Sequence, residues 1–98
     1  MISMLYKSPD NLSIPKINTI SENIINNMEF GESVVTGGNV QCIFFYGDSI
    51  KSPVGLANVM SSGSHDLSIR LIAPDEPSLK KLTESLGVPY DEARVEEE

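Results

Sequence analysis

The feature that most constrains this sequence is a short run at residues 40–46, VQCIFFY, which is apolar nearly throughout. It is far shorter than the roughly 18–20 apolar residues that a membrane-spanning helix needs. A strand that is apolar on both faces is typical of the interior of a sheet. The run therefore predicts a central strand, which follows a tight turn or a mobile loop at Gly37-Gly38 and precedes a turn at Gly47-Asp48.

Further elements are predicted on both sides of this strand. Residues 2–7 and 66–73 alternate between apolar and polar side chains, which predicts strands. Apolar spacing predicts a first helix at residues 14–30 and a third at residues 75–86. A second helix is predicted after Ser52, with Leu56, Val59 and Met60 on its inner face, because Ser-Pro suits a helix start.

Charge and composition narrow the classes of partner. The chain has 98 residues, enough for one domain, and its formal net charge is −7. That sign repels phosphate backbones and anionic headgroups, so neither nucleic acid nor a membrane is expected as partner. A single cysteine, Cys42, gives no intrachain disulfide. With no secretory signal pattern at the N-terminus, a cytoplasmic location is expected.

Catalytic chemistry finds little support. The chain holds one histidine, His65, beside its one cysteine, whereas a transition-metal site needs several converging ligands. Cys42 lies in the most apolar strand, where a thiol is usually an inert small hydrophobe. We therefore expect no metal, no cofactor and no enzymatic activity, and we expect the chain to work by binding another protein.

The predicted order of strands and helices resembles that of the HPr phosphocarrier family. Residues 47–50 and 56–63 resemble that family's turn, return strand and second helix, and residues 66–69 and 75–86 resemble its last strand and last helix. The resemblance implies an α+β fold, an open-faced β-sandwich in which three helices cover one face of a small antiparallel sheet. It places this domain at residues 1–89, followed by an acidic, solvated tail at residues 90–98.

The resemblance fails at the family's reactive group. The family carries its phosphoryl group on a histidine at the start of helix 1, followed two residues later by an arginine and then a proline. Here Pro15 matches, but Leu12 stands in place of the histidine and Ile14 in place of the arginine. The resemblance therefore implies a protein-binding or regulatory module without phosphocarrier activity.

The same resemblance predicts the binding surface. In the family the starts of helices 1 and 2 lie side by side and dock partners, which here selects the residues Leu12, Ser13, Ile14, Pro15, Ser52, Val54 and Leu56. Leu12 and Ile14 would form an apolar patch there, unless they fold into the core. Pairing of two copies is left open, as is a phosphorylated Ser52.

Two alternatives remain at this point. Residues 50–56 also resemble the phosphorylatable serine loop of STAS anti-anti-sigma domains, and residues 67–86 resemble the strand and helix that follow it. The other alternative is an interaction protein unrelated to sugar transport.

The loss of the carrier histidine gives a first prediction. Incubation with the general phosphotransfer enzyme of the sugar-uptake system and labelled phosphoenolpyruvate should leave the chain unlabelled, because the leucine side chain has no lone pair to accept phosphate. An acid-labile phosphate on His65 would contradict this expectation.

Overall fold

A computed structural model describes residues 1–8, 12–47, 51, 53–62 and 67–97. This part of the chain contains two α-helices and six strands, and four of the strands follow one another between the helices. The helices are α1 (Ile14–Asn27) and α2 (Glu76–Leu86). The strands are β1 (Ile2–Lys7), β2 (Glu29–Thr36), β3 (Asn39–Tyr46), β4 (Gly55–Ser61), β5 (Leu67–Ala73) and β6 (Glu96–Glu97), with a 3-10 turn at Glu92–Arg94.

All six strands form one antiparallel sheet in the order β2-β3-β4-β5-β1-β6. β2 to β5 follow one another as a meander, and β1 pairs with β5 along its whole length. The fold is therefore α+β, but the HPr-like arrangement predicted from the sequence is wrong. In the described residues two helices are present, where that arrangement requires three.

The predicted second helix is the strand β4. Its apolar residues Leu56, Val59 and Met60 fit a helical stripe, but the segment also alternates, with Gly55, Ala57 and Val59 on one face of the sheet. Tertiary context decides between the two patterns, because β4 pairs with β3 on one side and β5 on the other. Pairing with strands on both sides satisfies the backbone N–H and C=O groups of β4.

Two other boundaries differ from the prediction. Helix α1 ends at Asn27 rather than Phe30, and the chain passes directly into β2, a strand that was not predicted from the sequence. The turn at Gly37 and Gly38 is confirmed, and their φ angles of 54° and 90° are those of a type I′ hairpin. The proposed return strand at residues 49–51 and the Ser52 helix cap fall on or beside positions outside the described residues.

Both helices pack on the same face of the sheet. The strands supply alternate residues to this face, and helix α1 supplies Ile17, Ile20 and Ile24, all at most 2% exposed. Helix α2 adds Leu79, Leu82 and Leu86. The strand residues of the core are Met4, Tyr6, Phe44, Ala57, Ile69, Leu71 and Ala73.

A glycine allows α2 to lie close to the sheet. A Cβ atom at Gly55 would lie 3.3 Å from Leu82 Cδ2 and 3.7 Å from the Ile72 carbonyl oxygen. The absence of a side chain in β4 therefore gives the helix its packing distance. Close packing against Leu82 therefore favours glycine at position 55, for which the predicted helix offered no reason.

Both helices have a side-chain cap at the N-terminal end. Ser13 caps α1 by accepting a hydrogen bond from Lys16 N at 3.4 Å, and Asp75 caps α2 by accepting one from Ser78 N at 2.9 Å. Hydrogen bonds from the side chain of Ser78 and, as a smaller cause, from its backbone N–H hold the pKa of Asp75 below its usual value. Gly87 ends α2 in the left-handed conformation, φ 70°.

The C-terminal segment differs from the solvated tail that its charge predicted. β6 pairs with the start of β1, and Tyr90 and Val95 are partly buried against the core. The Tyr6 hydroxyl donates a 2.6 Å hydrogen bond to the Pro89 carbonyl. Burial, with the Asp91 carboxylate as a smaller cause, raises the pKa of Tyr6 to about 12. The acidic composition correctly predicted that the described glutamates of this segment are exposed. It did not indicate that Tyr90 and Val95 pack against the core.

A neighbouring pair on α1 tests the assignment of its buried face. Ile24→Ala should lower the free energy of unfolding by about 2–5 kcal/mol, because Ile24 is fully buried and its truncation leaves a cavity. Ile25, which is 63% exposed, is the matched control, and Ile25→Ala should cost less than about 0.5 kcal/mol. Urea denaturation of both variants measures this difference, and equal losses would contradict the orientation of the helix.

Truncation tests the C-terminal segment. A chain that ends at Pro89 should lose about 2 kcal/mol of stability, and its melting temperature should fall by roughly 10 °C, because partly buried Tyr90 and Val95 are removed. In the full chain Val95→Ser should also lower the melting temperature, whereas Glu92→Gln on the exposed 3-10 turn should not. An unchanged melting temperature after truncation would contradict this packing and support the prediction of a solvated tail.

Candidate interaction surface

The residues predicted to bind a partner do not form one surface. Leu12 is 7% exposed and belongs to the core, while Ile14, two residues later at the start of α1, is 61% exposed. Ser13 and Pro15 form the start of that helix. Val54 is 60% exposed. Ser52 lies outside the described residues.

These positions also lie at opposite ends of the sheet. Leu12 donates its backbone N–H to Lys7 O, at the end of β1, whereas Val54 donates to Tyr46 O, at the end of β3. Lys7 pairs with Ser68, and Ser68 pairs with Met60 of β4. Met60 and Gly55 lie at opposite ends of β4. At about 3.3 Å per residue the two ends are roughly 20 Å apart. The two starts of helices that were expected side by side therefore do not meet, because no helix begins at Val54.

Leu56 lies on the other face of the sheet from the helices. It pairs with Phe45 on one side and Ile72 on the other, so three apolar side chains form a row across β3, β4 and β5. Phe45 is 8% exposed yet stands apart from the main core cluster. Asn58 lies one row further along, and its Oδ1 atom is buried without a hydrogen-bond partner.

Metal-binding side chains do not converge in the described part of the chain. No set of three histidine, cysteine, aspartate or glutamate side chains there could hold a metal ion. Cys42 is half-buried in β3, and His65 lies outside the described residues. No helix among the described residues is long and apolar enough to cross a membrane.

Described residues form two open cavities of about 420 Å³ each beside the sheet. One lies at the end where β1 stops, and its lining combines Lys7 and several hydroxyl and amide side chains with the apolar residues Val40, Met60 and Leu67. Ser8 lines it, and its Oγ atom is buried without a hydrogen-bond partner. The other lies between α2 and the start of β4, where Val54 forms part of its wall.

The most exposed of the long strands is β2, which lies at one edge of the sheet. Seven of its eight residues are exposed and the eighth, Gly31, is partly exposed. β2 pairs with β3 on one side, and in the described sheet no strand pairs on its other side. At the opposite edge the two-residue β6 partly covers β1. β2 is thus the long uncovered edge, a feature that soluble proteins usually shorten, cover or protect with charge.

The hairpin turn determines which backbone groups of β2 face outward. The two-residue turn makes Thr36 and Asn39 the closing pair, and a β-turn bonds the N–H of Asn39 to the carbonyl of Thr36. Hydrogen-bonded and non-bonded pairs alternate along an antiparallel ladder. The N–H and C=O groups of Val35 and Ser33 therefore point away from β3, towards the position of an added strand.

Apolar side chains are exposed on both faces of this edge. Phe30 and Val35 lie on the helix side and are 59% and 72% exposed. Val34 lies on the opposite, open face and is 44% exposed. Phe30 also packs edge-on against Phe44, with ring centroids 5.7 Å apart, so it is held in place although it is exposed. Neighbouring exposed apolar residues of this kind mark an interface more often than scattered ones do.

Two carboxylates complete the edge. Glu29 and Glu32 pair with Phe45 and Ile43 of β3, so both lie on the open face, and both are exposed. Neither forms an ion pair with any residue in the described ranges. A bulge at Gly31 separates them in the sequence, so they are successive side chains on that face.

Sequence reasoning missed this surface, although one signal was present. The adjacent pair Val34-Val35 before the Gly-Gly turn has the β-branched character of a strand. No strand was predicted for this stretch, whose residues do not alternate cleanly between apolar and polar. The bulge at Gly31 explains the broken alternation, since it inserts one residue into the period of two.

Comparisons with known proteins give no relative: no family model, curated protein or solved structure matches this chain. The interaction surface therefore rests on the geometry of the chain itself.

Proposed function

We propose that this chain is a protein-binding module that captures an extended segment of another protein as an added strand beside β2. The observation that carries the proposal is the eight-residue edge strand, exposed along its length and apolar on both faces. Strand addition to a sheet edge is a common mode of peptide recognition, in which backbone hydrogen bonds supply affinity and side-chain contacts supply specificity.

The magnitudes favour a modest but specific affinity. The outward N–H and C=O groups of Ser33 and Val35 would give about four new hydrogen bonds, each contributing roughly 0.5–1.5 kcal/mol net. Burial of Phe30 and Val35 adds to this, at about 25 cal/mol per Å². Association and ordering of the partner offset a large part of the sum.

A role without catalysis belongs to the same proposal. The scarcity of histidine and cysteine supports it, as does a net charge of −7, which disfavours nucleic acid as the partner. A cytoplasmic location is proposed on the ground that a single cysteine needs no oxidising compartment. The HPr arrangement plays no part in the proposal, because its fold is not found here.

A proline substitution at the edge tests this function. Ser33→Pro should abolish capture of partners from a native lysate of the source cells, because proline lacks the outward N–H that an added strand would bond. Ser33→Ala is the matched control and should capture the same proteins as the unmodified chain. Both variants should fold, since proline is tolerated on an edge strand where its N–H faces solvent.

The readout is mass spectrometry of the captured proteins, with thermal melts to verify folding. Equal capture by both variants would refute strand addition at β2. If Ser33→Pro fails to fold, amide hydrogen exchange of the unmodified chain in complex decides instead. Protection should then appear at Ser33 and Val35, and its absence would refute the proposal.

A further inference from the structure

We infer that the segment captured by β2 is an extended strand in which basic side chains alternate with apolar ones. This inference rests on the proposed function, since it names the chemistry of the partner at the same edge. It follows from the two faces that β2 offers and from the charges on one of them.

The two faces of an added strand would meet different surroundings. Side chains alternate between the faces of a sheet, so every second residue of the partner lies beside the open face of β2 and the others lie beside its helix side. On the helix side the neighbours are exposed Phe30 and Val35, which favour apolar partners. On the open face the neighbours include the exposed carboxylates Glu29 and Glu32.

The hairpin contains nothing that neutralises those carboxylates. Neither β2, EFGESVVT, nor β3, NVQCIFFY, contains a lysine or arginine. Cross-strand pairs of opposite charge stabilise a sheet, and like charges directly opposite destabilise it. An added strand with basic residues on this face is therefore favoured, and one with acidic residues is rejected. Because Glu29 and Glu32 are successive on the face, the two basic residues should stand two positions apart.

The same charges argue against a second copy of this chain as the occupant. In a symmetric antiparallel pairing of two β2 strands that keeps the open faces together, Glu32 stands opposite itself, Val34 or Thr36. All three registers collect Glu29 and Glu32 of both copies, four carboxylates in total, on one face of the junction. Two chains that each carry a net charge of −7 also repel one another.

Blocked eight-residue peptides provide the probe. One alternates lysine with valine, and two counterparts carry threonine or glutamate in place of lysine. Fluorescence anisotropy should show that the lysine peptide binds more tightly than the threonine peptide, and that the glutamate peptide does not bind. Raising the salt concentration from 0.1 M to 1 M should remove most of the advantage of lysine, because screening shortens from about 10 Å to 3 Å.

Charge removal on the protein locates the effect. The double variant Glu29→Gln/Glu32→Gln should lower the affinity for the lysine peptide roughly two- to thirtyfold and leave that for the threonine peptide unchanged. The matched control is Glu22→Gln/Glu84→Gln, which removes the same charge from exposed positions on α1 and α2. It should change the affinity by less than about half as much.

The outcomes separate this inference from the proposed function. Equal binding of the lysine and threonine peptides, or equal losses in the two double variants, would overturn the basic partner and leave strand addition standing. Peptides that fail to bind a chain whose lysate capture still depends on Ser33 would do the same. A wild-type dimer in sedimentation that Ser33→Pro makes monomeric would assign the edge to a second copy and also overturn the inference. Lysine-peptide binding unaffected by Ser33→Pro would count against strand addition itself.

Discussion

The pairing of β1 with β5 is the constraint on which the rest of the structure depends. It joins the first residues of the chain to residues 67–73 in six consecutive pairs and sets Met4 beside Leu71 and Tyr6 beside Ile69. These four side chains are at most 2% exposed and form the floor on which both helices lie. The sheet needs this pairing because its other strands are connected as a simple meander. Without this pairing, β5 would be an uncovered edge, and the helices would lack the core contacts that β1 supplies.

The same pairing explains why the two edges of the sheet are so different. β1 lies near the C-terminal segment, so the chain that leaves α2 at Gly87 can return to cover it through Tyr90, Val95 and β6. After α1 the chain enters β2 directly, so no segment between them covers the outer edge of β2. The topology therefore covers the edge at β1 and leaves the edge at β2 uncovered. The candidate interaction surface is a result of this asymmetry.

The sequence predicted the parts of the fold in which local signals and tertiary context agree. The strand β1, the positions of α1 and α2, and a turn at the Gly-Gly pair were predicted from the residue pattern. β4 was not, because Leu56, Val59 and Met60 have the spacing of a helix, and only pairing with β3 and β5 makes this segment a strand. The interaction surface was missed for a related reason. It depends on which strand lies at the edge, and no single segment encodes the order of the strands. Of the residues predicted instead, Leu12 is buried, whereas Ile14 and Val54 are exposed but lie far apart.

The order in which these strands are made has a consequence for folding. β2, β3, β4 and β5 are each joined to the next by a short connection, so their pairing closes small loops and can proceed early. β1 must instead bridge some 60 residues to reach β5, and such non-local pairing is slow because its loop entropy is lost before contacts compensate for it. During synthesis, at about 5–20 residues per second, Met4 and Tyr6 remain without their neighbours for several seconds until β5 has emerged. We therefore expect the first strand to leave the ribosome to join the sheet only after β2 to β5 have paired, and β6 to follow it.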